Sequence, residues 1–344
     1  MHRSLNMLIL VLVVSLGVLG GLDWYQDSLA HERRVRESTH RLLGGTAISV
    51  EQVARIELWL PGSDSSWSFR RVETGWRLPQ YRNAFAQTGR VNTILGAVTE
   101  GRGTQVGHWP QDAAHYGVTE QDSMRIALFD QRDARATTVW VGLVAPGNRS
   151  GESYMTVEGA EPIYHVDSNP WPSVDWTPGN VYPPLLDRRV IPGALNRRSV
   201  VSISFADRRS PELKKILREE LEPDPKARMG SDRGPRYEWY GTLRDGTRKR
   251  LHNAAARSYV NLVLNLPFAE LLGSRMALTA EQGDPLVSMT LAYDGEQKDV
   301  LKLYATGNSS EYTVYNVTTD QLFVVDEQTA TAFTPDLNSL SKGS

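Results

Sequence analysis

The side chains that most often carry out chemistry in proteins are sparse in this sequence. The chain has no cysteine, which excludes thiol nucleophiles, disulfides and cysteine-ligated metal sites. Its seven histidines are scattered: His108 and His115 flank Trp109 in a predicted loop, and His165 lies in a predicted strand. No HExxH, P-loop, GxSxG or EF-hand pattern occurs. We therefore predict no catalytic, metal-binding or cofactor-binding residues, which favours a protein that is not an enzyme.

Two aspartates occupy matching positions in the two halves of the chain. Asp167 and Asp326 each end a predicted strand before a turn, which is a common structural position for aspartate. A paired-carboxylate mechanism needs a second acid at a defined distance, and the sequence places none beside either residue. The turn interpretation is favoured, while a hydrolase of unrecognised type stays open.

Tryptophans in predicted loops suggest a second kind of chemistry, which is stacking. All nine tryptophans lie at or before residue 239, and Trp109, Trp171 and Trp176 fall in predicted loops. Loop tryptophans can stack on sugars or on partner side chains. This pattern supports an alternative function, a periplasmic module that binds a glycan or a peptide through loop aromatics.

A basic stretch is the strongest candidate for a binding surface. Arg188 to Arg257 holds 18 Lys and Arg against 9 Asp and Glu, whereas Ser258 to Ser344 holds 4 against 11. Within an insertion at 206–236, Ser210-Pro211-Glu212 predicts the start of an amphipathic helix, and the insertion is expected to be dispensable for folding. Hydrophobic residues on one face of this helix and nearby cations form the predicted partner-binding site: Leu213, Lys214, Lys215, Ile216, Leu217, Arg218, Leu221, Arg248, Lys249 and Arg250.

The beginning of the chain predicts a membrane anchor. Met7 to Leu22 carries no charge, Arg3 precedes it, and Asp23 follows it. An uncharged run of this kind, extended to 1–25, can cross the bilayer, and the positive-inside rule keeps the amino terminus in the cytoplasm. A cleavable signal peptide is the alternative, but its small-residue site at Ala30 lies far beyond the apolar run. We expect a single-pass protein of the inner membrane whose remaining domains are periplasmic.

The exported part predicts a tandem α+β fold. After a stalk helix at 26–45, a β-rich module of strand, hairpin, helix and antiparallel meander occurs at 46–168 and again at 199–334. A Pro-rich connector at 169–198 separates the copies, and a tail follows at 335–344. The closing meanders match segment by segment, with Tyr154 aligned to Tyr312 and Asp167 to Asp326.

A family resemblance follows from packing and turn residues in the first copy. The residues that carry it are Val53, Ile56, Gly75, Trp76, Leu78, Tyr116, Gly117, Val118, Val141, Gly142, Tyr154, Tyr164 and Val166. This pattern resembles domain-of-unknown-function family 4340. The resemblance implies an accessory protein that accompanies an ABC transporter of the gliding-motility (GldG-like) type, with a permease, an ATPase or a GldG-like membrane subunit as partner.

The leading functional prediction is therefore a non-enzymatic, membrane-anchored periplasmic subunit of an ABC-type transporter or envelope assembly. Its partners are the transporter and, through the anchor, inner-membrane lipid. The net charge of −2 argues against nucleic acid, which is bound by a surplus of Lys and Arg.

Overall fold

The protein is mostly β, with two antiparallel sheets and few helices. A computed structural model describes residues 39–44, 48–63, 65–142, 151–174, 182–193, 199–207, 212–221, 237–278, 283–307 and 310–341. The β-rich character expected from the sequence is confirmed, although helices contribute less than an α+β class suggests. The predicted anchor at 1–25 lies outside the described residues, and no helix among those described has both the length and the apolar character needed to cross a membrane.

The elements are numbered in chain order. The strands of the first half are β1 (Thr39–Arg41), β2 (Arg55–Trp59), β3 (Ser66–Val72), β4 (Gly75–Leu78), β5 (Ala84–Phe85), β6 (Arg102–His108), β7 (Met124–Phe129), β8 (Arg135–Val141), β9 (Ser153–Val157) and β10 (Pro162–Val166). Those of the second half are β11 (Val200–Asp207), β12 (Leu213–Glu220), β13 (Tyr237–Leu243), β14 (Arg248–Arg250), β15 (Glu270–Gly273), β16 (Val287–Tyr293), β17 (Lys298–Ala305), β18 (Glu311–Asn316) and β19 (Gln321–Asp326). The α-helices are α1 (Thr88–Thr99), α2 (Trp171–Val174), α3 (Asn253–Leu264), α4 (Glu327–Thr331) and α5 (Leu337–Ser341).

The chain forms two compact units. The first comprises the described residues within Met1–Ser68 and Asn92–Asp175, and the second those within Phe69–Val91 and Trp176–Ser344. The sequence assigns Phe69–Val91 to the first repeat at 46–168, so the structure divides the chain differently at this point.

Backbone hydrogen bonds explain why Phe69–Val91 belongs to the second unit. The Asp187 amide donates to the Phe85 carbonyl at 2.9 Å, and the Gln87 amide donates to the Leu185 carbonyl at 2.8 Å. These bonds join the end of β5 to the connector, whose residues pack in the second core. Sequence periodicity reports only which residues of a strand face a core and carries no information on which core they face.

In the first unit the strand order is β1-β6-β10-β9-β8-β7-β2, and all these pairings are antiparallel. One face is apolar because successive side chains of a strand alternate between the two faces: Met124, Ile126, Val139, Val141 and Met155 are completely buried. Helix α1 buries Ile94, Leu95 and Val98 in this unit.

Gly142, directly after β8, has no room for a side chain. An added Cβ would overlap the Tyr116 carbonyl oxygen, and the backbone cannot move away easily because the Gly142 amide donates to the Tyr154 carbonyl at 2.8 Å. We expect Gly142→Ala to destabilise the protein by about 1–3 kcal/mol. Gly96→Ala in α1 is the control, since its Cβ meets nothing within 4 Å and we expect a gain of roughly 0.5–1 kcal/mol. Urea unfolding compares the two, and equal effects would contradict the close approach at Gly142.

The second unit contains a sheet of order β14-β13-β12-β11-β16-β17-β18-β19-β15. Alternate residues of β16 are buried from Val287 to Tyr293. Helix α3 covers this core with Ala256, Tyr259, Val260, Val263 and Leu264. This spacing is that of one face of an α-helix.

Tyr259 gives the second unit a pH-dependent stability. Burial raises the pKa of Tyr259 well above its usual value, and its hydroxyl donates to the Ala332 carbonyl at 2.8 Å. Above the unfolded pKa of about 10, the unfolded chain loses a proton that the native state retains. Stability is therefore complete below about pH 10 and falls as the pH rises further.

We expect Tyr259→Phe to lower stability at neutral pH by about 0.5–1.5 kcal/mol, because one hydrogen bond is lost. The same variant should lose less stability than the wild type between pH 10 and 11. Urea unfolding at pH 8, 10 and 11 measures both effects. An unchanged slope above pH 10 would show that Tyr259 does not contribute to the alkaline loss.

The two units share one strand order. The order β2-β7-β8-β9-β10-β6 in the first corresponds to β11-β16-β17-β18-β19-β15 in the second. The antiparallel run β3-β4-β5 likewise corresponds to β12-β13-β14, and a helix, α1 or α3, follows each run.

The expected equivalence of Tyr154 and Tyr312 is wrong. Tyr154 pairs with His165 and packs on the small outer cluster that contains Ile163. Tyr312 pairs with Val325 and packs against the main core of the second unit. The sequence alignment was shifted by one residue, and a one-residue shift exchanges the two faces of a strand.

The predicted amphipathic helix in the insertion is also wrong. Residues Leu213–Glu220 form strand β12, which lies between β11 and β13. A bulge explains the misleading spacing: Leu213 pairs with Leu243 and Lys215 with Thr242, so Lys214 is an extra residue. An extra residue exchanges the faces of the residues beyond it, and Leu213 and Ile216 therefore point to the same side although they are three apart. Strand β12 therefore corresponds to β3, since each is the first strand of its antiparallel run, β12-β13-β14 or β3-β4-β5.

Both ends of the described chain also differ from expectation. Thr39–Arg41, within the predicted stalk helix at 26–45, form strand β1 beside β6, because Leu42 and Leu43 are buried at its end. Half of the predicted tail at 335–344, Leu337–Ser341, is folded as α5. Its Leu340 is buried, and the Leu340 carbonyl accepts a hydrogen bond from the His252 amide at 2.9 Å.

Candidate partner-binding surface

Two residues of the predicted partner-binding site lie in the core of the second unit. Leu213 is 1% and Ile216 0% exposed, and both belong to the cluster that contains Trp239. Gly241 stands opposite Ile216, and its missing side chain leaves the space that Leu213 fills. Leu213 and Ile216 therefore stabilise the fold and are not on a partner-binding surface.

Other predicted residues do share one outward face of β12, β13 and β14. Cross-strand neighbours lie on the same face: Leu217 pairs with Tyr240, and Tyr240 pairs with Arg250. We call the surface formed by these strands the meander face, and its residues are Lys215, Leu217, Glu219, Glu238, Tyr240, Thr242, Arg248 and Arg250.

The arginines of the meander face are compensated locally. Arg248 forms an ion pair with Glu219 and lies 3.8 Å above the centre of the Tyr240 ring. Arg250 forms an ion pair with Glu238. The Tyr240 hydroxyl donates to Glu238 at 2.8 Å, and this hydrogen bond raises the pKa of Tyr240. These two ion pairs therefore cancel much of the positive charge that the sequence predicts for this surface.

Arg218 also has an internal role. Its guanidinium lies 3.0 Å from both carboxylate oxygens of Asp294 and 4.4 Å above the centre of the Tyr237 ring. Its side chain is 7% exposed. Arg218 therefore links β12 to the turn after β16 and is not free to bind a partner.

Three lysines of the predicted site lie on β12 and β14. Lys215 lies on the meander face and Lys214 is exposed at the bulge of β12. Lys249 is exposed on edge strand β14, but it pairs with Gly241 and therefore lies on the opposite face. None of the three forms a salt bridge within the part of the chain that the structure describes. Leu221, 38% exposed, follows β12. These residues, together with Leu217, are the part of the predicted site that remains available to a partner.

The loop tryptophans are used partly in packing. Trp109 contacts Trp140 edge-on with ring centres 6.0 Å apart, and the Trp171 indole donates to the Gly142 carbonyl at 2.8 Å. Trp176 lies outside the described residues. Trp109 and Trp171 keep part of their surface exposed.

Each of the predicted polar candidates has a local partner. His165 Nε2 lies 3.3 Å from Glu152 Oε2, and His108 Nε2 lies 3.4 Å from Gln105 Nε2. Asp326 caps α4 by accepting from the Thr329 amide at 2.7 Å, and this bond lowers the pKa of Asp326. Among the described residues, no group of three or more acids and histidines is arranged to hold a metal ion.

A polar groove in the second unit was missed by the sequence reasoning. It is lined by Gln87, Asp187, Arg188, Arg189, Asn265 and Pro267. Asp187 is only 4% exposed and accepts from Arg189 Nε at 2.8 Å and from Arg189 Nη2 at 2.6 Å. The only sequence signal was an aspartate followed by two arginines in the connector, and no spacing rule joins it to Gln87 or Asn265.

The structure thus defines a protein of two antiparallel sheets with matching strand order. A family model described as "Domain of unknown function (DUF4340)" matches residues 76–285, which is more than half of the chain, and the chain belongs to this family. The resemblance inferred from the sequence is confirmed. Comparison with curated proteins and with solved structures gave no match.

Proposed function

We propose that the chain is a non-enzymatic accessory subunit of an ABC-type transporter or envelope assembly. In this proposal residues 1–25 anchor it in the inner membrane and both sheets lie in the periplasm. The anchor is supported by the uncharged run Met7 to Leu22 with Arg3 before it and Asp23 after it. The association with a GldG-like transporter is supported only by the sequence resemblance.

The observation that carries the binding role is the set of lysines beside the meander face. Lys214 and Lys215 lie on β12 and Lys249 lies on β14, with β13 between these two strands, and the nearby arginines already pair with glutamates. Exposed charges of one sign steer a partner of the opposite sign. The partner surface is therefore an acidic part of a transporter subunit.

Co-purification from mild detergent tests this proposal. The full chain should retain an ATPase and a permease, and the triple variant Lys214→Glu, Lys215→Glu and Lys249→Glu should lose at least tenfold of both. The control reverses three exposed cations elsewhere in the second unit, Arg257, Arg275 and Lys298. Equal losses in the two triple variants, or no ATPase with the wild type, would contradict the proposal.

We also propose that the two modules arose by internal duplication, which is supported by the shared strand order. Superposing β2 and β7–β10 on β11 and β16–β19 should align Ser153 with Tyr312. A best superposition that aligns Tyr154 with Tyr312 instead would contradict this register.

A glycan- or peptide-binding module is the second candidate function, and it is favoured by the partial exposure of Trp109 and Trp171. A glycan array probed with the full chain and with Trp109→Ala should show a signal that the variant loses. Equal signals from the full chain and from Trp109→Ala would show that Trp109 does not bind the glycan.

A further inference from the structure

We propose that the groove beside Asp187 and Arg189 binds a monovalent carboxylate, such as the end of a peptide chain or a small organic acid. This inference is independent of the transporter proposal, because it concerns a different surface and its test needs no partner protein. The groove lies wholly within the second unit.

The groove is large enough for a small ligand. Its volume is about 480 Å³, within the range of roughly 300–1,000 Å³ that is usual for small-molecule sites. Backbone pairing holds its two walls together: Arg189 bridges to Pro267, the Val190 amide donates to the Leu266 carbonyl at 2.9 Å, and the Phe268 amide donates to the Arg188 carbonyl at 3.1 Å. A ligand would therefore enter a preformed site.

Arg189 is held in a fixed orientation. Its Nε and Nη2 donate to the two oxygens of Asp187, which also accepts from the Gly193 amide at 3.0 Å. A guanidinium has five N–H donors, so this pairing occupies one edge and leaves donors on Nη1 and Nη2. The hydrogen bond to Asp187 raises the pKa of Arg189, which keeps the group charged.

Arg188 provides a second cation at the same groove. It is exposed, and its guanidinium lies 3.9 Å from the centre of the Tyr182 ring. Stacking on an aromatic ring restricts a long side chain and lowers the entropy lost when it binds. The Tyr182 hydroxyl donates to the Ala269 carbonyl at 3.1 Å, which holds the ring itself.

The charges of the groove select the class of ligand. Arg188 and Arg189 carry two positive charges and Asp187 one negative charge, so the groove has a net charge of +1. A single carboxylate matches this charge, and guanidinium groups bind planar carboxylates through paired hydrogen bonds. The side-chain amide nitrogens of Gln87 and Asn265 already donate to the Leu186 and Asn261 carbonyls, and their amide oxygens can accept from the backbone N–H groups of a peptide.

Isothermal titration of the full-length protein in mild detergent, at constant ionic strength, tests the inference. The probes are acetyl-Ala-Ala with a free carboxylate, the same dipeptide with a terminal amide, and sodium acetate. We expect one saturable site for the free acid and at least tenfold weaker binding of the amide. Acetate binding as tightly as the acid would assign the site to small acids, and tenfold weaker acetate binding would assign it to peptide ends. Absence of saturable binding by the acid and by acetate, or equal affinity for the acid and the amide, would overturn the inference.

Variants place the binding at this groove. Arg188→Gln removes the exposed cation and leaves the Asp187–Arg189 pair intact, so we expect at least a tenfold loss of affinity for the acid. Arg257→Gln, the same change at an exposed position of α3, should bind as the wild type does. Unchanged affinity in Arg188→Gln, or equal losses in both variants, would overturn the assignment. The comparison of acid with amide uses only wild-type protein and so does not depend on the folding of any variant.

Discussion

Ile216→Asp is expected to unfold the second unit, whereas Leu217→Asp at the next position is expected to leave it folded. Ile216 is 0% exposed on the inner face of β12, and an unpaired carboxylate at such a position costs several kcal/mol. That cost is comparable with the whole stability of an ordinary domain, about 5–15 kcal/mol. Leu217 lies on the meander face beside Tyr240, where we expect aspartate to cost about 1 kcal/mol.

This pair of variants separates a strand from a helix. In the helix predicted from the sequence, Ile216 and Leu217 would share the buried face, and both substitutions would be severe. In the strand they lie on opposite faces. Circular dichroism and urea unfolding of the two full-length variants measure the difference. Similar destabilisation by both substitutions would contradict the strand.

Deletion of 210–233 tests whether the second unit can fold without β12. The sequence suggests that this insertion is dispensable, but the deletion removes β12 from between β11 and β13. We therefore expect loss of the folded second unit. Recovery of a folded deletion variant, judged by circular dichroism and resistance to protease, would show that β11 and β13 can close without β12.

Asp187→Ala is expected to destabilise the second unit by about 2–3 kcal/mol. The substitution removes four hydrogen bonds to a carboxylate that is 4% exposed and leaves Arg189 without its partner. Losing one member of a buried ion pair costs about 3–5 kcal/mol. The expected value is lower because the Arg189 side chain is 29% exposed and can regain water.

Glu270→Ala is the matched control for this prediction. Glu270 pairs with Arg82 at 3.1 Å, but the side chains are 56% and 51% exposed, and such surface pairs contribute less than about 1 kcal/mol. Urea unfolding compares the two variants. If Asp187→Ala costs no more than Glu270→Ala, the buried pair does not hold the groove together. Adding Arg189→Met to Asp187→Ala should recover part of the loss, since the uncompensated charge is then gone.

The sequence by itself determined the elements whose hydrophobic period agrees with their final environment. Strand β16 alternates because one side of it faces a core and the other does not, and α1 and α3 carry apolar residues at helical spacing. Trp76 and Val141 are among the residues that carry the family resemblance, and both are buried, at 1% and 0% exposure. The anchor at 1–25 stays a prediction, based on the uncharged run Met7 to Leu22.

Only the tertiary structure decided which periodicities were misleading. One extra residue at Lys214 gives a central strand the spacing of a helix, because a bulge changes the facing of every residue beyond it. Similar letters around Tyr154 and Tyr312 hide a one-residue shift, and these side chains therefore face different environments. The groove beside Asp187 depends on segments far apart in the chain, Gln87, the connector and the end of α3. Such contacts are made by folding and leave no period in the sequence.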